Sequence, residues 1–356
     1  MKALRRDLLR WYRANRRDLP WRRTRDPYAI WISETMLQQT RVETVIPYYE
    51  RFLERFPTVE ALADAEPDEL MQLWAGLGYY SRARNLHAAA KTVAGEHGGR
   101  LPDDVDGLRT LKGVGPYTAG AIASIAFDRP RAVVDGNVMR VLTRVLDCRD
   151  DVGEPATRRR LWEVAEELAR GPAPGDLNQG IMELGALVCT PRTPSCVACP
   201  VRAHCGAHAA GDPEAFPVKA RREKPRRVEA VCGHFVRRGR LLVVRRPPEG
   251  LLGGLWELPG NDLGTGEAPE EGLARALHER LGLSAKNVVA AGRVGHVFTH
   301  RILTLHVFRG EVHEGRVRRG FYDAHRWCAA RRPADALPFS VVARKALAAA
   351  DPAHGP

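Results

Sequence analysis

Four cysteines, Cys189, Cys196, Cys199 and Cys205, crowd into the spacing C-x6-C-x2-C-x5-C, with Pro191, Pro194 and Pro200 set among them. Prolines at that density break helices and strands, so the stretch must run as short loops that converge on one another. Cys148, Cys232 and Cys328 stand alone, and seven cysteines are an odd number. The first 25 residues carry no apolar core of a secretory signal, so an oxidising compartment is not indicated and metal is expected before disulfides. Four unrelated buried cysteines are the bland alternative, which the clustering disfavours. Four thiolates can close a tetrahedral shell around zinc or hold the corners of an iron–sulfur cube, and ligand chemistry leaves both open.

A length of 356 residues with 44% hydrophobic content suits two domains, each with material for a core. Lys and Arg outnumber Asp and Glu by 55 to 43, a net charge of +12 that favours a polyanionic partner. Only seven of those cations are Lys, and the Arg excess suits phosphate forks or a genomic base-composition bias equally well. No run approaches the roughly 18 apolar residues of a membrane span, so no membrane partner is expected, and the expected location is cytoplasmic.

Up to about residue 210 the chain reads as helix after helix. Leu4, Leu8, Trp11 and Tyr12 recur at helical spacing, Asp26-Pro27 opens a segment carrying Ile30, Glu34, Leu37 and Gln38, and Pro57, Pro67 and Pro102 punctuate others. Residues 213–227 lose all apolar periodicity, and Lys219–Arg227 alone has six cations and one anion, as a basic linker would. Beyond it come strand-like runs at Val228–Val236, Arg240–Val244 and Ile302–Phe308 and one helical stretch at Glu270–Arg280, an α+β pattern.

Lys112-Gly113-Val114-Gly115-Pro116-Tyr117 places two glycines between helical stretches. Such a turn lets bare backbone N–H groups approach a phosphate without reading a base, although a plain tight turn between helices has the same pattern. Twenty residues on, Asp135 interrupts the apolar run Val133–Val138, and Glu34 sits among apolar and amide residues in Trp31–Thr40. Asp135 could simply cap a helix beginning near Asn137, and Glu34 could lie on a solvated face. As a pair they suit glycosidic bond cleavage, in which one carboxyl protonates the leaving group and another stabilises an oxocarbenium-like centre.

Leu19-Pro20-Trp21-Arg22, Asp26-Pro27-Tyr28, the Trp31–Thr40 run, Gly76–Leu86, the Gly-x-Gly hairpin, Val134–Val138 and the four cysteines occur in one order across nearly the whole first domain. In these motifs the chain resembles the MutY family of adenine DNA glycosylases, within the endonuclease III-like helix–hairpin–helix superfamily. The resemblance implies an all-α helix–hairpin–helix domain over residues 1–212 with a [4Fe-4S] cluster on Cys189, Cys196, Cys199 and Cys205. It implies Glu34 as general acid and Asp135 as the carboxylate stabilising the sugar cation or its covalent intermediate, with Tyr117 and Asn137 in support. It places Gln39 and Tyr79 in the base stack and Gly113, Gly115 and Arg82 on DNA, and it surrounds the flipped adenine with Arg17, Leu19, Trp21, Arg22, Val42 and Gln179. Tyr117 stands where bifunctional relatives carry the Schiff-base lysine, which implies a monofunctional enzyme that leaves an abasic site.

Gly254–Gly260 followed by Glu270–Leu283 resembles a Nudix fold over residues 228–356. Where active Nudix hydrolases read R-E-x-x-E-E-x-G, this chain has Arg275-Ala276-Leu277-His278-Glu279-Arg280-Leu281-Gly282, so two magnesium-binding glutamates are replaced and hydrolysis is not expected. The resemblance implies a recognition module for 8-oxoguanine, with Phe298, Thr299 and His300 as its DNA-contacting loop and Thr299 where the family usually has Ser. The expected partner is double-stranded DNA carrying adenine opposite 8-oxoguanine or guanine, met by a monomer associated with the nucleoid. A pyrimidine-lesion glycosylase, an inert mismatch-binding protein and a Nudix diphosphatase are the competing readings.

Overall fold

The computed structural model describes residues 1–220, 224–313, 316–318, 320–329 and 333–351, and the chain divides into two units, Met1–Asp64 with Asn85–Arg222, and Ala65–Arg84 with Glu223–Pro356.

The first unit is helical. Its principal helices are Lys2–Asn15, Pro27–Leu37, Val42–Arg55, Pro116–Ile125, Gly136–Val145, Pro155–Ala169 and Pro174–Leu187. Local chemistry sets their starts: Pro27, Pro116, Pro155 and Pro174 open four of them, where the missing N–H costs no hydrogen bond. Asp26 and Asp135 cap two, accepting from Ala29 N at 3.4 Å and from Val138 N at 2.7 Å. Leu8, Val138, Leu142, Leu161, Leu177 and Leu184 meet in one core, and burying each such side chain contributes about 1.5–3 kcal/mol. The helix Pro27–Leu37 differs from its neighbours because every residue from Tyr28 to Met36 is buried, so Glu34 does not lie on a solvated face.

The second unit carries a seven-stranded mixed sheet of β1 (Arg226–Arg237), β2 (Arg240–Arg245), β3 (Trp256–Glu257), β4 (Gly260–Asp262), β5 (Ala285–Val297), β6 (Arg301–Val312) and β7 (Ala324–Ala329). The main path runs β3-β2-β1-β6-β5, with β4 beside β1 and β7 beside β2. Period-two alternation explains why β1 and β2 read as continuous apolar runs. Ala230, Cys232, Leu241 and Val243 face one core with the helix Val341–Ala350, while Val231, Phe235, Leu242 and Val244 face another with the helix Pro269–Leu281. Strand β5 has no such run in the sequence because most of its residues are exposed.

The expected linker has three parts in the structure. Residues 213–220 pack on the first unit, with Phe216 buried and Val218 O accepting from Val152 N at 3.0 Å. Residues 221–223 lie outside the described residues, and Arg226 and Arg227 already pair with Arg301 and Ile302 in the sheet.

Candidate active site

Glu34 and Tyr117, 83 residues apart, meet in the helical unit: the Tyr117 hydroxyl donates to Glu34 Oε2 at 2.7 Å. The second contact of that hydroxyl is Met182 Sδ at 3.2 Å, on the helix Pro174–Leu187. Glu34 is 5% exposed, and burial pushes its carboxyl up to about 7. The hydrogen bond from Tyr117 opposes that rise, the charge of Asp135 adds to it, and the Arg22 guanidinium also opposes it. Tyr117 itself is driven well above a phenol's usual range by burial and by the two carboxylates beside it. A carboxyl poised near neutrality can hold a proton and give it up, as a general acid must.

Asp135 divides its oxygens. Oδ1 caps the helix by accepting from Val138 N, and Oδ2 accepts from Asn137 Nδ2 at 3.0 Å. Burial raises its carboxyl, and the hydrogen bonds from Val138 and Asn137 oppose the rise. From Asn137 the hydrogen bonds continue: Arg140 donates to Asn137 Oδ1 at 2.8 Å, to Gly185 O at 2.7 Å and, through Nε, to Cys189 O at 2.7 Å. Gly185 permits this closeness, since a Cβ there would stand 2.7 Å from that of Asn137.

The four cysteines, none of them in a disulfide, line one small cavity with Arg144, Arg202 and His208. Burial, and to a lesser degree the neighbouring thiols, push the Cys199 thiol up to about 11. Arg144, fully buried, donates to Cys189 Sγ at 3.2 Å, to Thr190 O at 2.7 Å and to Pro191 O at 3.1 Å. Among the described residues no group of three or more His, Cys, Asp or Glu side chains stands close enough to hold a single ion.

Of the expected adenine pocket, Leu19 and Trp21 are buried, Trp21 packing edge-on against Tyr49 at 5.5 Å. Trp21, Arg22 and Gln179 line one small cavity together, and Val42 is half-buried at the start of the helix Val42–Arg55. Arg17 and Arg22 both bond Glu183, an acid on which sequence reasoning placed no role. Its one signal is being the lone charge in the run Gly180–Leu187. Arg140 and Arg144 were equally silent, lost in a chain rich in arginine.

In the hairpin Gly113 has a positive φ of 82° and a Cβ there would also meet Asn85 at 2.6 Å, while Gly115 caps the next helix over open space. Gln39 is exposed with φ 57° and Tyr79 with φ 47°, backbone conformations that cost a non-glycine residue about 1–3 kcal/mol and that cluster at functional sites. In the second unit the Tyr79 hydroxyl lies 2.6 Å from Thr299 Oγ1, in the exposed turn Phe298–His300 that joins β5 to β6. Phe298 packs edge-on against His296 at 4.5 Å, and the Arg301 guanidinium lies 5.2 Å from its ring. Arg82, expected to contact DNA, packs against the loop that carries Tyr79. It is buried, its guanidinium donates to Leu77 O at 3.2 Å and Gly78 O at 3.1 Å, and it shapes that loop.

Residues 32–167 match the HhH-GPD superfamily of base excision DNA repair proteins, and residues 230–349 match the NUDIX domain. An adenine DNA glycosylase of Rattus norvegicus is 41% identical over 86% of this chain and 70% of its own length. One of Schizosaccharomyces pombe is 32% identical over 86% of this chain and 81% of its own. The chain belongs to the adenine DNA glycosylase family. The family makes it a DNA N-glycosylase, with a helical HhH-GPD domain followed by a Nudix-like α+β domain. A solved thermostable thymine-DNA glycosylase superposes on 59% of the chain and 96% of its own with a TM-score of 0.53 at 32% identity, a likeness that spans the share of a single domain. Among the described residues no helix is long and apolar enough to cross a membrane.

Proposed function

We propose that this glycosylase hydrolyses the N-glycosidic bond of adenine mispaired with 8-oxoguanine or guanine in double-stranded DNA, acting as a monomer and leaving an abasic site. The observation that carries the reading is the buried Glu34 carboxyl, held by the Tyr117 hydroxyl at 2.7 Å and brought near neutrality beside Asp135. Glu34 protonates the departing base. Asp135, oriented by Val138 N and Asn137, stabilises the positive charge that develops on the sugar. Arg17, Leu19, Trp21, Arg22, Val42 and Gln179 form the adenine pocket of this reading. A phenol in place of an amine at position 117 supports hydrolysis without a Schiff base.

The glycosylase domain of this reading spans residues 1–212 and the recognition domain residues 228–356. The backbone of the turn at Gly113 and Gly115 grips a phosphate, Gln39 and Tyr79 enter the stack, and Phe298, Thr299 and His300 meet the 8-oxoguanine. The Nudix-like domain acts in recognition rather than hydrolysis. Arg280, at a position where a hydrolase needs a glutamate, is engaged with Gly260 O at 3.0 Å and lies 3.8 Å from the Phe321 ring. Cys189, Cys196, Cys199 and Cys205, which line one cavity, supply the four thiolates that a [4Fe-4S] cluster needs. When bound, the cluster supplies a rigid cross-link of the loop.

Incubation with duplexes bearing adenine opposite 8-oxoguanine, guanine or thymine tests the whole reading. Adenine release from the first two, with strand scission only after alkali and no borohydride-trapped adduct, is expected. Alkali-independent scission or release of a pyrimidine overturns it.

A further inference from the structure

Glu183 lies on the helix Pro174–Leu187 with its side chain 1% exposed, and two guanidinium groups occupy its two oxygens. Arg17 donates to Oε1 through its backbone N at 2.9 Å and Nε at 3.0 Å, and to Oε2 through Nη2 at 2.7 Å. Arg22 donates to Oε1 through Nη1 at 2.8 Å and to Oε2 through Nη2 at 2.9 Å. Burial pushes the Glu183 carboxyl up, yet the hydrogen bonds from Arg22 and Arg17 outweigh it and hold the group at about 2. It is therefore a carboxylate at every working pH.

A buried carboxylate shared by two cations is a poor way to gain stability, because desolvation cancels much of the attraction. What the arrangement secures is position. Two guanidinium groups side by side repel, and the shared carboxylate holds both in one geometry while reducing their joint charge from +2 to +1. Arg22 is further fixed by a hydrogen bond from Nη1 to Arg17 O at 3.2 Å and by the Tyr12 ring, whose centroid is 5.5 Å away. The charged or titratable groups that act on Glu34 come from three directions: Tyr117 on the helix Pro116–Ile125, Asp135 at the cap of Gly136–Val145, and Arg22 on the turn Pro20–Arg22. Glu183 stands behind the last of these. Its neighbour Met182 touches the Tyr117 hydroxyl that donates to Glu34.

We propose that Glu183 is a positioning residue for base excision, clamping Arg17 and Arg22 in one arrangement and thereby fixing the guanidinium of Arg22 that acts on Glu34. The inference rests on the reading of Glu34 as the general acid.

Glu183→Gln and Glu183→Asp in the full chain test it, with single-turnover adenine release followed across pH and affinity measured for a duplex carrying a non-hydrolysable abasic analogue. Glu183→Gln removes one negative charge and leaves both cations. The rate is expected to fall roughly 10- to 100-fold with duplex affinity unchanged or tighter. The alkaline limb is expected to move to lower pH, because extra positive charge favours ionised Glu34. Glu183→Asp, with a carboxylate one methylene short, should recover part of both effects and keeps the test open if the Gln variant does not fold. An unmoved alkaline limb, a loss of affinity matching the loss of rate, or an Asp variant no better than Gln overturns the inference while leaving the glycosylase reading intact. A wild-type enzyme that releases no adenine, or whose rate is indifferent to Glu34→Gln, overturns both.

Discussion

The Tyr117 hydroxyl donates to Glu34 Oε2 at 2.7 Å inside a helical core, and this one bond helps set the protonation of the carboxyl. Because burial raises Glu34 to about 7, adenine release should fall as pH rises through neutrality. Tyr117→Phe deletes a bond that favours the ionised form, so its alkaline limb should shift to higher pH. A limb that stays in place, measured by single-turnover release, would remove the hydroxyl from this role.

The same burial costs stability. A carboxyl whose folded pKa lies above its unfolded value of 4.5 destabilises the fold increasingly as pH rises from there to about 7. The window spans about 2.5 units, an upper bound of roughly 3 kcal/mol. Glu34→Gln should therefore raise the unfolding midpoint at pH 8 and leave it nearly unchanged at pH 4, as thermal denaturation at the two pH values will tell, while lowering base release by about 100-fold or more.

Arg140 links Asn137 Oδ1 at 2.8 Å with Cys189 O at 2.7 Å, so the Asp135–Asn137 cap and the cysteine loop share one guanidinium. Arg140→Leu should slow release about 10-fold or more even in molecules whose iron content is normal. Iron assay and single-turnover kinetics on one preparation separate the two effects.

Gly185 allows the helix Pro174–Leu187 to close on Asn137. Gly185→Ala puts a methyl 2.7 Å from the Asn137 Cβ and should cost about 1–3 kcal/mol in denaturant unfolding. It should also slow catalysis, whereas a substitution at Gly136, where a Cβ meets open space, imposes no such clash.

Thr299 Oγ1 lies 2.6 Å from the Tyr79 hydroxyl. Thr299→Val keeps the shape and loses the bond, worth about 1 kcal/mol, so the rate ratio for adenine opposite 8-oxoguanine over guanine should drop roughly fivefold. Thr299→Ser should preserve it. Equal ratios in all three proteins would take the hydroxyl out of discrimination.

Motif and period reach only as far as neighbours along the chain. The sequence by itself determined the helical first part, the strand runs at β1, β2 and β6, the clustered thiols and the Gly-x-Gly turn, because a proline at a helix start or a residue period is a local constraint. It also placed Glu34 and Asp135 as a pair of acids with an alternative use for each. Asp135 proved to be both a cap and an oriented carboxylate, since its two oxygens serve different partners. Only the tertiary structure decided that the whole segment around Glu34 is buried, that Arg82 is spent on loop carbonyls, and that Glu183 gathers Arg17 and Arg22 from more than 160 residues away. Burial and charge pairing are sums over residues distant in sequence, and a carboxyl near pH 7 exists only where packing has already removed the water.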